Sequence, residues 1–425
     1  MKSSKRKICL ASAAVAASLG TAAATAAGPV VQIGGSSLVA PLLNMEIANF
    51  STDVGAFTYF SVGSAAGQNA FLNNQPTFFG AGVTGAVDFA NSDAALLASQ
   101  VSGYTLAGSS GPLIQIPYIV TAITIPVVNN GQTITSTTTP QTTPGQSHSI
   151  ALNDNDLCGV FSGKLTNWNQ VTNPETGSAY STSAPIKVVY RTDGSGTTEL
   201  LTRHLTQVCS TGTGGNSNVS FVDSLTFTDS FHGAALPSNF VGGSGDGGVR
   251  TAITSASGAT VAYLSPAYAN TFLAPSSYIT TPARAAQLQV ASLVNSSDGQ
   301  YYAPTYQNAT TAIGTVAAPA GRQATNPLNW VPVSANPDEG YPVSGTSQVI
   351  LSQCYKDPNV AQAIAVFLAT HYTNPGFVQF IHGNGFDTVA STYQTSIQND
   401  FIGSGNQLEL NIGNGDVCAG SVVGR

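Results

Sequence analysis

The chain has 425 residues, of which only 8% are charged, and a formal charge of −7 at pH 7. That length supplies core for more than one domain. An acidic balance with so few cations excludes nucleic acid and anionic membrane as long-range electrostatic partners.

The first residues, MKSSKRKICLASAAVAASLGTAAATAAG, run from a basic start through a short Ala-rich apolar stretch to small residues. This is the pattern of a secretory signal peptide over 1–27, cut near Ala26 or Ala27. The apolar run is short for a transmembrane anchor, and no later segment is apolar for long enough to span a bilayer. Cleavage removes Lys2, Lys5, Arg6 and Lys7, four cations, and takes the formal charge from −7 to −11. The expected product is a soluble periplasmic or secreted protein, and any anion site on it must act locally against the global field.

Strand-like and helix-like patterns then alternate. Val30 to Gly34 reads as a strand, followed by a helical pattern from Pro41 to Phe50. Ile186 to Tyr190 reads as a strand before a helix over 198–208, with Leu200, Leu201, Leu205 and Val208 on one face. Thr260 to Leu264 opens a third such unit. Val349 to Leu351 reads as a short strand, and Asn359 to Tyr372 as a helix. Strands alternating with helices predict an α/β fold with largely parallel sheets. Between them, residues 129–149 are polar and Thr-rich and read as a surface hairpin or insertion, while GGSGDGG (242–248) reads as a mobile turn.

Of five cysteines, Cys9 leaves with the leader. Cys158, Cys209, Cys354 and Cys418 form an even set in an oxidising compartment, which predicts two disulfides in one of three pairings. No C-x-x-C occurs, and the five histidines are scattered without ligand spacing, so no metal and no cofactor is expected. Catalytic signatures fare no better. No complete G-x-S-x-G and no phosphate-binding G-x-x-x-x-G-K-[ST] exists. Gly243, Gly245 and Gly248 satisfy G-x-G-x-x-G, but no acid follows at the distance a ribose would need.

What remains is a repeated device. In YRTDGSGTTE (190–199) a strand ends, the chain turns through Gly194 and Gly196, and a helix begins near Thr197. Helix starts present unpaired N–H groups and partial positive charge. Ser195 and Thr197 add hydroxyls, and Arg191 offers a planar fork to an oxyanion, with Asp193 placed to hold it. Ordinary N-capping explains one such start. IGGSSLVAPLL (33–43) and SVGSAAGQNAFL (61–72) repeat it with Ser37 and Ser64. Converging, the three would replace the hydration shell of a tetrahedral oxyanion. FANSDAALL (89–97) adds Asp93, whose plainer reading is a helix N-cap.

At these four segments the chain resembles the phosphate-specific substrate-binding proteins of bacterial ABC transporters, and more closely their DING subgroup. The signature R-x-D/E-x-S-G-T-T is matched by Arg191, Asp193, Ser195, Gly196, Thr197 and Thr198. Ser36-Ser37-Leu38 stands where the family has Ala-Thr-Leu or Ala-Thr-Phe. Gly63-Ser64 and Ser92-Asp93 match its Gly-Ser and Ser-Asp. LCGVFSGKLTNWNQV (157–171), NPLNWVPV (326–333) and GYPVSGTSQVILSQCY (340–355) also look like DING segments. The start GPVVQIGG departs from Asp-Ile-Asn-Gly-Gly, and 129–149 looks like an insertion.

The resemblance implies a two-lobe periplasmic-binding-protein fold of type II, with a central ligand cleft and hinge crossover strands. Lobe one would be 28–125 plus 341–425 and lobe two 126–340. Within that division Cys158 would pair with Cys209 and Cys354 with Cys418. It further implies high-affinity binding of inorganic phosphate by Ser37, Leu38, Ser64, Asp93, Arg191, Ser195, Gly196 and Thr197. The implied protein is a monomer that delivers phosphate to a membrane ABC permease and is not an enzyme. The alternative is a secreted DING-type alkaline phosphatase acting on phosphomonoesters.

Overall fold

The computed structural model describes residues 27–128, 150–173, 176–209, 215–269, 288–403 and 408–425. The expected signal peptide, apart from Ala27, and the 129–149 insertion lie outside the described residues.

Two sheets carry the architecture. The first begins with β1 (Val30–Gly35), α1 (Ala40–Ala48), β2 (Ala56–Ser61), α2 (Ser64–Leu72), β3 (Phe89–Ser92) and β4 (Leu113–Ala122). The chain then enters the second sheet through β5 (Val127–Val128) and continues with α3 (Asp154–Phe161), β6 (Ile186–Arg191), α4 (Gly196–Val208), β7 (Phe240–Gly243), α5 (Gly245–Ser255) and β8 (Ala259–Ala262). After α6 (Tyr306–Ile313) it returns to the first sheet as β9 (Ser344–Ser352), α7 (Pro358–Thr373) and β10 (Phe386–Thr388). The strand orders are β10-β4-β9-β3-β1-β2 and β7-β6-β8-β5. Two-lobe type II architecture follows from this double exchange of the chain between sheets.

The expected parallel character holds only in part. β1 runs parallel to β2 and β3, and β6 runs parallel to β7 and β8. The returning strand β9 runs antiparallel to both β3 and β4, and β10 antiparallel to β4. A strand that re-enters a sheet from the other lobe arrives without a crossover helix, so nothing imposes a parallel direction. All nine residues of β9 are buried, but Ser344 to Gln348 are small or polar, so only Val349–Leu351 carries the apolar run that marks a buried strand.

Residues 306–313 and 327–330 lie against the first sheet: Thr310 Oγ1 donates to Asp387 at 2.5 Å, and Gln115 Nε2 donates to the Pro327 carbonyl at 3.0 Å. Disulfides join Cys158 to Cys209 and Cys354 to Cys418. The first ties α3 to the end of α4; the second ties the residues after β9 to the C-terminal segment. Segment 242–248 is no mobile turn. Its first residues end β7 and the rest open α5, with Asp246 fully buried.

Candidate functional site

Four strands end in short turns that run straight into helices, two from each sheet: β1 into α1, β2 into α2, β6 into α4 and β7 into α5. The N-terminal turns of these helices face one another between the lobes, each with N–H groups that its own helix cannot pair. Two glycines allow the approach. Gly63 has φ +91°, and a Cβ there would lie 2.6 Å from Asp193 Oδ2. A Cβ on Gly196 would lie 2.5 Å from Asp93 Cβ. Side chains at either position would hold the lobes apart.

Asp93 follows directly on β3 and caps no helix; the next helix begins at Ala98 and its N-cap is Leu97. The plain N-cap reading of Asp93 therefore fails. Instead the carboxylate collects hydroxyls. Ser36 Oγ lies 2.7 Å from both oxygens, Ser347 Oγ donates to Oδ1 at 2.8 Å, and Ser64 Oγ lies 3.5 Å from Oδ2. Burial pushes the Asp93 carboxyl up to about 6, against the pull of the Ser36 and Ser347 hydroxyls, with Asp246 adding to the rise and Arg191 opposing it.

Arg191, at the end of β6, is 2% exposed. Its Nε donates to Asp193 Oδ1 at 2.8 Å and its Nη2 to Oδ2 at 2.5 Å, a bidentate pair. Nη1 donates to Asp246 Oδ2 at 2.7 Å and lies 3.4 Å from Thr197 Oγ1. Burial works against the guanidinium charge, yet Asp246 and Asp193 more than offset it and hold Arg191 above its ordinary range. Burial also opposes the Asp193 charge, but the Arg191 fork and the Gly245 N–H hold that carboxyl below its usual range.

The remaining sequence-predicted residues join the same patch. Ser37 Oγ donates to Asp246 Oδ2 at 2.5 Å. Leu38 is buried in the first turn before α1, its N–H donating to Ser36 Oγ at 3.1 Å. Ser195 caps α4 by accepting from the Thr198 N–H at 3.3 Å, and Gly196 and Thr197 form that helix's first turn against Asp93 and Arg191. Ser37, Leu38, Ser64, Asp93, Arg191, Ser195, Gly196 and Thr197 thus share one buried region. Sequence reasoning missed Ser36, Ser347 and Asp246. Ser36 and Ser347 lie within the family-like segments 33–43 and 340–355, where nothing in the sequence separates them from other serines. Asp246 lay in a glycine-rich run that reads as flexible, although strand, glycine, serine and helix start recur there too.

The arrangement offers one guanidinium, several hydroxyls and helix N-termini, which suit a small oxyanion, together with three carboxylates, of which Asp193 and Asp246 pair with Arg191 and Asp93 can accept a proton. Among the described residues, no group of three or more His, Cys, Asp or Glu could hold a metal ion.

A model described as a PBP superfamily domain matches residues 16–370. Alkaline phosphatase L of Pseudomonas aeruginosa is 33% identical over 410 residues, which cover 95% of this chain and 97% of that protein. A phosphate-binding protein from an unknown prokaryotic organism is 32% identical over 381 residues, covering 86% and 93%. Among solved structures, a high affinity periplasmic phosphate-binding protein bound with phosphate superposes with TM-score 0.72 at 32% identity, over 93% of this chain and 99% of that one. A human phosphate binding apolipoprotein superposes with TM-score 0.76 at 30% identity, with the same coverage.

Proposed function

The chain belongs to the PBP superfamily, on its DING branch, and from that premise we propose that it binds inorganic phosphate between its lobes for delivery to an ABC importer. One observation supports this above the others: a single buried guanidinium, Arg191, stands among serine and threonine hydroxyls and helix N-termini drawn from both lobes. The ligand wall would comprise Ser37, Leu38, Ser64, Asp93, Arg191, Ser195, Gly196 and Thr197. Charge-assisted hydrogen bonds contribute about 1.5–3 kcal/mol each, so a handful offsets desolvation of the anion and the protein's own negative charge. The lobes would be 28–125 with 341–425, and 126–340, although 306–313 and 327–330 lean on the first sheet. Cleavage near Ala26 or Ala27 would release the mature chain to the periplasm or beyond.

Calorimetric titration with phosphate, sulfate, arsenate and a phosphomonoester tests the reading. Phosphate and arsenate should bind, sulfate weakly, the ester least. Arg191→Ala should cost about 2–5 kcal/mol, because an anion in a dry cleft then meets neutral donors beside the carboxylates of Asp93, Asp193 and Asp246. Wild-type affinity in a folded Arg191→Ala protein would sink the site assignment.

Hydrolysis of phosphomonoesters is a second reading, supported by the relative named alkaline phosphatase L. The same ester, followed for released phosphate, decides it: turnover lost in Arg191→Ala would favour an enzyme using this cleft.

A further inference from the structure

Ser36 presents a fixed hydroxyl to Asp93 from within the same lobe. Its N–H donates to the Asn91 carbonyl at 2.9 Å, and its own carbonyl accepts from the Tyr59 hydroxyl at 2.5 Å. Gly35, with φ +137°, lets the end of β1 lie this close to β3, since a Cβ there would stand 2.0 Å from the Asn91 oxygen. Ser36 is 1% exposed, and its Oγ lies 2.7 Å from both Asp93 oxygens. A hydroxyl has one proton to give. The Leu38 N–H donates to the same Oγ at 3.1 Å, so that proton is directed at the carboxylate. Ser347 donates to Oδ1 alone.

A donor held against a carboxylate favours its ionised form. Burial drives Asp93 toward the neutral form, and Ser36 is the foremost group pulling it back, ahead of Ser347. Asp246 on α5 pushes toward the neutral form, while Arg191, with Asp193 on its fork, opposes it. Tyr59 on β2 and Glu199 on α4 also feel the Asp93 charge. Burial keeps Tyr59 neutral and is the main cause pushing Glu199 up to about 8, so both are uncharged where Asp93 titrates. An ionised carboxylate can only accept. Phosphate brings Asp93 a proton, whereas sulfate brings none and fits only after Asp93 has taken one from solvent and become a donor. We propose that Ser36 is a specificity-determining residue: by holding Asp93 ionised, its hydroxyl makes entry of a proton-free oxyanion depend on proton uptake and so excludes sulfate down to lower pH. The inference rests on the interlobe phosphate reading and adds to it a residue outside the ligand wall.

The experiment measures sulfate affinity by calorimetry on the mature chain from about pH 5 to about pH 8 at one ionic strength. Wild type is compared with Ser36→Ala, Ser36→Thr, Asp93→Asn and the double variant Ser36→Ala, Asp93→Asn. Wild type should bind sulfate about tenfold tighter for each unit that pH falls toward the Asp93 midpoint. Ser36→Ala should bind it about tenfold tighter than wild type at about pH 7.5 and converge with wild type at about pH 5. Ser36→Thr, which keeps the hydroxyl, should follow wild type. In Asp93→Asn the pH dependence should vanish, and with it the effect of Ser36→Ala. A wild-type curve in Ser36→Ala would overturn the proposal, as would a gain that survives in the double variant. Carbon-13 NMR follows the Asp93 carboxyl in parallel, its signal assigned by loss in Asp93→Asn. If wild type takes up neither phosphate nor sulfate, the phosphate reading falls and the carboxyl midpoint alone decides. A midpoint moved to higher pH in Ser36→Ala upholds the role of the hydroxyl, and an unmoved midpoint overturns it.

Discussion

Asp93 places a carboxylate where an anion is expected, and its surroundings give that placement a use. Phosphate near neutral pH still carries a proton, whereas sulfate carries none. An ionised carboxylate only accepts, so it can take the phosphate proton in a short hydrogen bond. Facing sulfate it would find no proton to accept and would be repelled at close range. A buried carboxylate held against an oxyanion that has no proton to share supports a selectivity on the order of a thousandfold. Asp93→Asn supplies an N–H donor instead, so sulfate should gain on phosphate by at least tenfold of that margin. Competitive titration of both anions against wild type and Asp93→Asn at one ionic strength measures the ratio, and an unchanged ratio would leave Asp93 with only its structural bonds to Ser36, Ser64 and Ser347. Arg191 was legible from the hydroxyl-rich turn between its strand and the following helix, and Asp93 only through the resemblance of Ser92-Asp93 to the family's Ser-Asp. Ser36 and Ser347 were not, because serine is abundant here and only a folded neighbourhood separates a hydroxyl that meets a carboxylate from one that meets water.

At the scale of elements, the turn from β6 into α4 is set by how closely the two lobes meet. A methyl group on Gly196 would lie 2.5 Å from Asp93 Cβ and 2.7 Å from the Ala94 nitrogen, atoms of the opposite lobe that cannot rotate away. Gly196→Ala should leave α4 intact, since alanine is the better helix former. It should instead block closure, at a cost of about 1–3 kcal/mol of overpacking. The expected outcome is a phosphate affinity reduced by roughly tenfold to a hundredfold and a melting temperature near wild type in the phosphate-free protein. A parallel loss of melting temperature would move the clash from the interface to the fold. The strand–glycine–helix units at 30–48 and 186–208 could be read in the sequence because each has an apolar pattern on both sides of its turn, whereas at 61–72 only the helix start was read. The unit at 240–255 could not: GGSGDGG has no apolar residue to set a period, and its order comes from Asp246 pairing with Arg191 and Ser37, both remote in sequence. The extent of β9 was equally hidden, since Ser344 to Gln348 are small or polar although buried, and its direction depends on where the chain returns from.

Across the whole molecule, scarcity of charge concentrates ionisable groups where they do not sit comfortably, and this fixes how stability should vary with pH. Burial is the main cause pushing Asp88, Asp93 and Asp156 each up to about 6, and Glu199 up to about 8. A carboxyl whose folded value exceeds its unfolded value, about 4, binds its proton more tightly in the native state. Its contribution to stability is complete below the unfolded value and is lost as pH rises through the folded one. Asp193 acts in the opposite sense, its contribution being present above the unfolded value and lost only as pH falls beneath it. Between about pH 5 and 8 the four raised carboxyls therefore dominate. The net negative charge works in the same direction, because protonation relieves self-repulsion. The phosphate-free protein should melt several degrees higher at about pH 5.5 than at about pH 8.5, and lose stability again below about pH 4 as Asp193 protonates. Scanning calorimetry at constant ionic strength checks the trend. Asp93→Asn should flatten part of the slope near pH 6, since an amide has no proton to give up there. A melting temperature that rises steadily from pH 5.5 to 8.5 would mean that these carboxyls are paired or hydrated in solution, and that the lobes do not close tightly enough to desolvate Asp93 without a ligand.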